Sequence, residues 1–335
     1  MADAAKPLLA LAIGDPAGVG PELAAKLIAD SQVRAAANLV VIGDARVLRR
    51  GAEVAGVAVD LPVVTSSDAL RPDRSVLMDL GHLDPATIKL GVAVKAGGQF
   101  ALENFRTGLR LAAAGTVGGV CFTPFNKAAM RMAHPSYDDE IGFVAGVLDI
   151  HTPASEFNIL EGLWNARVTS HVPLSAVAGL VTRERVLRSL VLTYESLRNA
   201  GIDEPRIGVA ALNPHAGDGG NFGHEDDDEI APAVADAKAR GIGAIGPYPP
   251  DTVFVRATKG EFDAVLTMYH DQGQIAMKLI GFDRGVTLIG GFPFPICTPA
   301  HGSAYDIAGK GIANLGASRA ALLIAARAAV RQAQR

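Results

Sequence analysis

The stretch Ile207-Gly208-Val209-Ala210-Ala211-Leu212-Asn213-Pro214-His215-Ala216-Gly217 decides how this chain is read. It opens as a short apolar run and breaks at once into Asn-Pro-His-Ala-Gly, residues that end strands and shape turns. The pattern recurs: apolar runs rich in Val, Ile and Leu lie at 8–13, 39–42, 117–122, 159–163, 207–212, 262–268 and 286–289. Between them run longer segments of roughly 3.6-residue period, among them 93–113, 184–200 and the Ala-rich 318–334. The alternation predicts an α/β fold with mostly parallel strands and helices on both faces. Open sheets of this kind place ligands beyond the carboxyl ends of their strands, so the loops that follow the runs are where chemistry is expected.

The 335 residues exceed what one hydrophobic core usually serves, roughly 250 to 300, which predicts two lobes. A hydrophobic share of 49% with 20% charged residues excludes disordered and fibrous classes. Lys and Arg number 31 against 35 Asp and Glu, so the net charge of −4 leaves no electrostatic footprint for nucleic acid or an anionic membrane. A small-molecule partner is expected instead. The two cysteines, Cys121 and Cys297, lack CxxC spacing, so neither a disulfide framework nor a cysteine zinc site is indicated. No secretory leader pattern and no apolar stretch of 18 residues is read, and a reducing cytoplasm is the expected location.

Four polar segments follow apolar runs. Gly14-Asp15-Pro16-Ala17-Gly18-Val19-Gly20-Pro21-Glu22 forms a loop over a helix start, a place suited to an anion or a cofactor edge, with Gly14, Asp15 and Gly18 as candidate cofactor contacts. Its spacing is not GxGxxG, and a plain strand-to-helix turn competes evenly. The other three each carry one histidine just past a strand: His171 in 169–174, His215 in 212–220 and His270 in 268–273. Singly, each is more simply a hydrogen-bonded loop residue. Three in the same topological position point to a divalent-metal site with open positions, Zn²⁺ first. Asp271 is a candidate support for His270, and Asp251 sits in a loop stiffened by Pro249 and Pro250. Lys278, inside the apolar stretch 275–280, must snorkel or meet an anion, and can serve in proton transfer. The acidic run 225–229 reads as a solvated helix start.

Taken together, the string from Gly14 to Glu22, Asn213-Pro214-His215-Ala216-Gly217, Tyr269-His270-Asp271-Gln272-Gly273 with Lys278, the motif 281–286, and His301-Gly302-Ser303-Ala304 with the segment 306–311 resemble the 4-hydroxythreonine-4-phosphate dehydrogenase family over nearly the whole chain. The resemblance implies an α/β/α two-domain subunit of the isocitrate and isopropylmalate dehydrogenase type with a cleft between the domains. The first domain is expected over 1–125 plus 305–335 and the second, carrying the histidines, over 126–304. It also implies a homodimer with a shared active site, and NAD as cofactor with NADP as the alternative. The implied divalent metal is zinc, with magnesium, manganese or cobalt as alternatives. His171, His215 and His270 match the metal ligands, with His270 expected from the partner subunit. Lys278 and Asp251 match substrate-contacting catalytic positions.

The implied reaction oxidises a secondary alcohol β to a carboxylate, and the keto acid then loses CO₂. This chain departs from the family in its phosphate pocket. Asp138-Asp139-Glu140 stands where a His-Thr-Glu triplet is expected, Thr287 where an asparagine is, and Ile296 where an arginine is. Replacing a bidentate Arg and two phosphate contacts disfavours an anion there. Two substrates therefore stay open: the family's phosphorylated one, serving pyridoxal phosphate synthesis, and an unphosphorylated one such as a cis-dihydrodiol carboxylate, as in the terephthalate dihydrodiol branch. A non-catalytic binding protein is a weaker reading, because the histidines and Lys278 are all kept; a metal-dependent hydrolase shares the three histidines but needs no NAD cleft, and thermal protection by NAD separates it.

Overall fold

The computed structural model describes residues 6–160, 162–281 and 284–334. Its strands, in chain order, are β1 (Leu8–Ala12), β2 (Asn38–Gly43), β3 (Val63–Val64), β4 (Val76–Asp79), β5 (Val120–Phe122), β6 (Ser155–Leu160), β7 (Leu163–Arg167), β8 (Ile207–Ala210), β9 (Ala244–Tyr248), β10 (Ala264–Thr267), β11 (Val286–Gly290) and β12 (Ile296–Pro299). Compactness divides the chain into Met1–Thr152 with Val286–Arg335 as unit 1, and Pro153–Gly285 as unit 2.

In unit 1 the strand order is β3-β4-β2-β1-β5-β12-β11. All neighbours are parallel except β11, which runs antiparallel to β12. β1 is buried along its whole length, the signature of a strand covered on both faces. The helix Lys95–Ala113 buries Phe105 against Phe122, Phe125 and Phe143, with ring centroids 4.8, 5.3 and 5.6 Å away. That aromatic cluster ties segment 126–152 to unit 1. β12 lies parallel to β5 and brings 286–304 with it. Both segments were expected in the second domain, and packing assigns them to the first. Cys121 and Cys297 are register partners on β5 and β12, both free and buried, and burial pushes the Cys297 thiol up to about 12.

Unit 2 has the order β6-β7-β10-β8-β9. Strands β7, β10, β8 and β9 are parallel neighbours, and β6 pairs antiparallel with β7. The apolar run 159–163 is therefore not one strand. It straddles a tight reversal at Gly162, whose φ of +92° suits glycine, while Glu161 lies outside the described residues. Phe282 and Asp283 of the 281–286 motif lie outside them too. The helix His270–Gly281 packs on this sheet so closely that a Cβ on Gly273 would stand 2.5 Å from Asn165 Nδ2. Among the described residues no helix is long and apolar enough to cross a membrane.

Candidate active site at the strand ends of unit 2

Strands β7, β10 and β8 lie side by side and run the same way, so their carboxyl ends sit in a row. His171 follows β7, His270 follows β10 and His215 follows β8. The common position expected for the three histidines is thus a property of the fold. His171 and His270 stand with ring centroids 5.6 Å apart and planes inclined by 41°. Imidazole nitrogens are ligands suited to zinc and similar ions, so these side chains fit the donor chemistry of a divalent-cation site. Within one chain His270 lies beside His171 because β7 and β10 are adjacent.

His270 Nδ1 lies 2.6 Å from Asp271 Oδ1, a carboxylate–histidine pairing that holds the ring and directs Nε2 outward. Asp271 thereby takes the supporting place expected of it. His171 and His215 both adopt left-handed backbone, φ +51° and +52°, as do Ala216 and Asp218 after it. Non-glycine residues occupy that region at a cost, and runs of them mark functional sites. His215 is exposed beside Phe222, ring centroids 6.1 Å apart. Among the described residues no three His, Cys, Asp or Glu side chains are arranged to hold a metal, so His215 is not gathered to the other two within one chain.

Further groups build these turns, and although they fall within segments quoted above, nothing in the sequence specifies what each one holds. Thr169 donates from its N–H and its hydroxyl to the Met268 carbonyl, at 3.1 and 2.8 Å. Gln272 accepts from Met268 N–H at 2.7 Å and donates to the Ala211 carbonyl at 2.8 Å. Asp226, fully buried, accepts from the Leu212 and Asn213 N–H groups at 2.8 and 3.1 Å. Asn213 in turn donates to Glu225 at 2.7 Å, and backbone and Asn213 hydrogen bonds hold that carboxyl below its ordinary value. The acidic run read as solvated is therefore anchored into the His215 loop at its first two residues.

Lys278 is exposed on the His270–Gly281 helix, and Asp251 is exposed in the first turn of the helix Pro250–Ala257. The remaining expected site residues lie in unit 1. Asp139 is the N-cap of the helix Glu140–Leu148 and accepts from Gly142 N–H at 2.8 Å, so its carboxylate occupies that helix N-terminus. Asp138 is exposed, and its carbonyl accepts from Arg131 at 3.3 Å. Thr287 is half-buried opposite Thr298 on β12. Ile296 is fully buried in β12 between β5 and β11 and has no surface to offer a ligand. Its assignment as a substrate contact is corrected: it is a core residue.

The Gly14–Glu22 loop is also committed to its own chain. A Cβ on Gly14 would stand 2.7 Å from the Thr123 carbonyl carbon, and one on Gly18 2.7 Å from Ser303 Cβ. Asp15 is buried, accepts from Ala17 N–H at 3.0 Å and from the Tyr305 hydroxyl at 2.5 Å. Burial raises its carboxyl, against those two hydrogen bonds. These glycines serve close packing, and Gly14, Asp15 and Gly18 do not fit a dinucleotide cradle.

The fold and the strand-end imidazoles define an α/β protein of the kind that works on small molecules beyond its strand ends. The family model described as "Pyridoxal phosphate biosynthetic protein PdxA" matches residues 35–325. A Rhizobium meliloti (strain 1021) protein named "Putative 4-hydroxythreonine-4-phosphate dehydrogenase 2" is 60% identical over 97% of this chain and 94% of its own length. The crystal structure of 4-hydroxythreonine-4-phosphate dehydrogenase from Klebsiella pneumoniae has 32% identity and a TM-score of 0.84, covering 98% of this chain and 99% of the other. That of a terephthalate 1,2-cis-dihydrodiol dehydrogenase from Burkholderia xenovorans LB400 has 30% identity and a TM-score of 0.67, covering 94% and 98%. This chain belongs to the PdxA family and is a dehydrogenase of that family.

Proposed function

We propose that this dehydrogenase oxidises a secondary alcohol β to a carboxylate, with NAD as hydride acceptor and loss of CO₂ from the keto acid, at a divalent-metal site formed by His171, His215 and His270. The observation that carries the reading is the row of histidines at three adjacent parallel strand ends. A homodimer completes the set, with His270 supplied from the second copy of the chain. A bound divalent cation, zinc first, supplies Lewis acidity to the substrate oxygen during oxidation and decarboxylation.

The chain's own groups do the positioning. Asp271 fixes the His270 tautomer through Nδ1. Lys278 carries a proton to or from the reacting centre, and Asp251 contacts substrate, both from exposed helix positions. Asp139 favours an unphosphorylated substrate: its carboxylate fills the helix N-terminus that would otherwise attract an anion. The reading with a phosphorylated substrate, in pyridoxal phosphate synthesis, rests on the family.

The test measures NADH formation by metal-loaded protein on 4-phosphohydroxythreonine beside unphosphorylated hydroxy acids and cis-diol carboxylates. Turnover of an unphosphorylated compound, lost at least about 100-fold in His215→Ala, is expected. Selective turnover of the phosphorylated compound overturns the substrate reading. An undiminished His215→Ala overturns the metal reading.

A further inference from the structure

We propose that Gln272 is a positioning residue that locks the His215 loop to the His270 turn, holding each imidazole in place at its own strand end; this rests on the metal reading above. The hydrogen bonds form one unbroken run across three strand ends. Thr169, two residues before His171, donates twice to the Met268 carbonyl. The N–H of that same Met268 donates to Gln272 Oε1 at 2.7 Å, and Gln272 Nε2 donates to the Ala211 carbonyl at 2.8 Å. Ala211 opens the loop that carries His215, and its own N–H is spent on Tyr248 O of β9 at 2.8 Å. Beyond it, Asp226 holds the next two N–H groups.

A side chain in the first turn of a helix that bonds a preceding N–H is, by itself, a helix cap. Capping accounts for Gln272 Oε1 alone. It does not account for Nε2, which reaches to a different strand and satisfies a carbonyl of the fully buried Ala211. The amide accepts on one strand end through its oxygen and donates on the next through its nitrogen, which a carboxylate cannot do. A glutamate at this position keeps the cap and sets two oxygens against each other at Ala211, so Gln272→Glu separates the two roles.

The experiment uses the full-length, metal-free protein and its Gln272→Glu variant, each read by amide hydrogen exchange and by titration with Co²⁺ followed through its visible absorption. Exchange in peptides spanning 211–218 is expected to accelerate about tenfold in the variant while the helix Lys95–Ala113 is unchanged. Co²⁺ affinity is expected to fall roughly 10- to 100-fold. Unchanged exchange over 211–218 overturns the proposal. A wild-type chain that takes up no Co²⁺ overturns the metal reading instead, and the exchange result still decides whether Gln272 couples the loops. Should Gln272→Glu not fold cooperatively, Gln272→Met, of equal length and uncharged, carries the same exchange readout.

Discussion

Gly273→Ala sets two effects of opposite sign against each other. In an exposed helix interior the change stabilises by about 0.8–1 kcal/mol, because glycine loses more backbone entropy on folding. Gly273 is buried, however, and its Cβ would lie 2.5 Å from Asn165 Nδ2 and 2.6 Å from Asn165 Cγ. Asn165 has nowhere to go. Its Nδ2 donates to Ala166 O at 3.1 Å, Val265 O at 3.2 Å and Thr267 Oγ1 at 3.1 Å, all inside the sheet. Overpacking of this kind costs about 1–3 kcal/mol, and stranding one buried amide a further 1–3 kcal/mol or so. The net expectation is a loss of about 2–3 kcal/mol, equivalent to a melting temperature lower by roughly 3–4 °C. Urea and thermal unfolding measure it, and the double variant with Asn165→Ala decides the cause. In that background the room exists, so Gly273→Ala should become neutral or stabilising. Equal effects in both backgrounds, or a single variant as stable as the wild type, would refute the argument.

Two buried carboxylates should respond oppositely to pH. Burial alone would raise Asp44, but hydrogen bonds from the Arg46 side chain and from the Leu83 and Arg46 N–H groups outweigh it and hold its carboxyl at about 2. A depressed folded value means that its contribution, about 2 kcal/mol, is present above the unfolded value near 3.8 and fades as pH falls toward 2. Asp44→Asn should therefore be less stable at pH 7 and converge on the wild type in acid; a gap that stays constant down to pH 2 contradicts this. Asp15 is raised by burial, so its contribution is complete below the unfolded value and is lost as pH climbs through the folded one. Asp15→Asn should match the wild type in acid and exceed it at neutral pH, and a less stable variant at pH 7 would count against the assignment. Asp139→Ala should lose about 1 kcal/mol with its N-cap, whereas Asp139→Ser should not. Denaturant midpoints of the two variants test this, and equal midpoints would remove the cap as the explanation.

What was legible in the sequence follows from what burial does to composition. The strands β1, β2, β5, β8, β10 and β11 are near-continuous apolar runs because helices cover both faces. The hairpin of β6 and β7 was hidden, since the apolar run 159–163 continues through its turn. β12 was hidden for a related reason. Ile296-Cys297-Thr298-Pro299 sits among prolines and reads as a loop, and its pairing with β5 on one side and β11 on the other makes it a strand and Ile296 a core residue. The histidines were legible by position, because each sits where an open α/β sheet puts its ligands.

Gln272 and Asp226 were not legible, and the difference is physical. An imidazole advertises its chemistry by residue type. A positioning amide or carboxylate acts through backbone atoms of other strands, and no periodicity of its own segment specifies which ones. Pattern can therefore nominate His215, but strand order alone says which neighbour holds it. Because β8 and β10 are adjacent, the Ala211 carbonyl and the Met268 N–H fall within reach of one side chain. The same adjacency places His171 beside His270 across β7 and β10. Strand order thus supplies both the approach of His171 to His270 and the side chain that ties the His215 loop to the His270 turn.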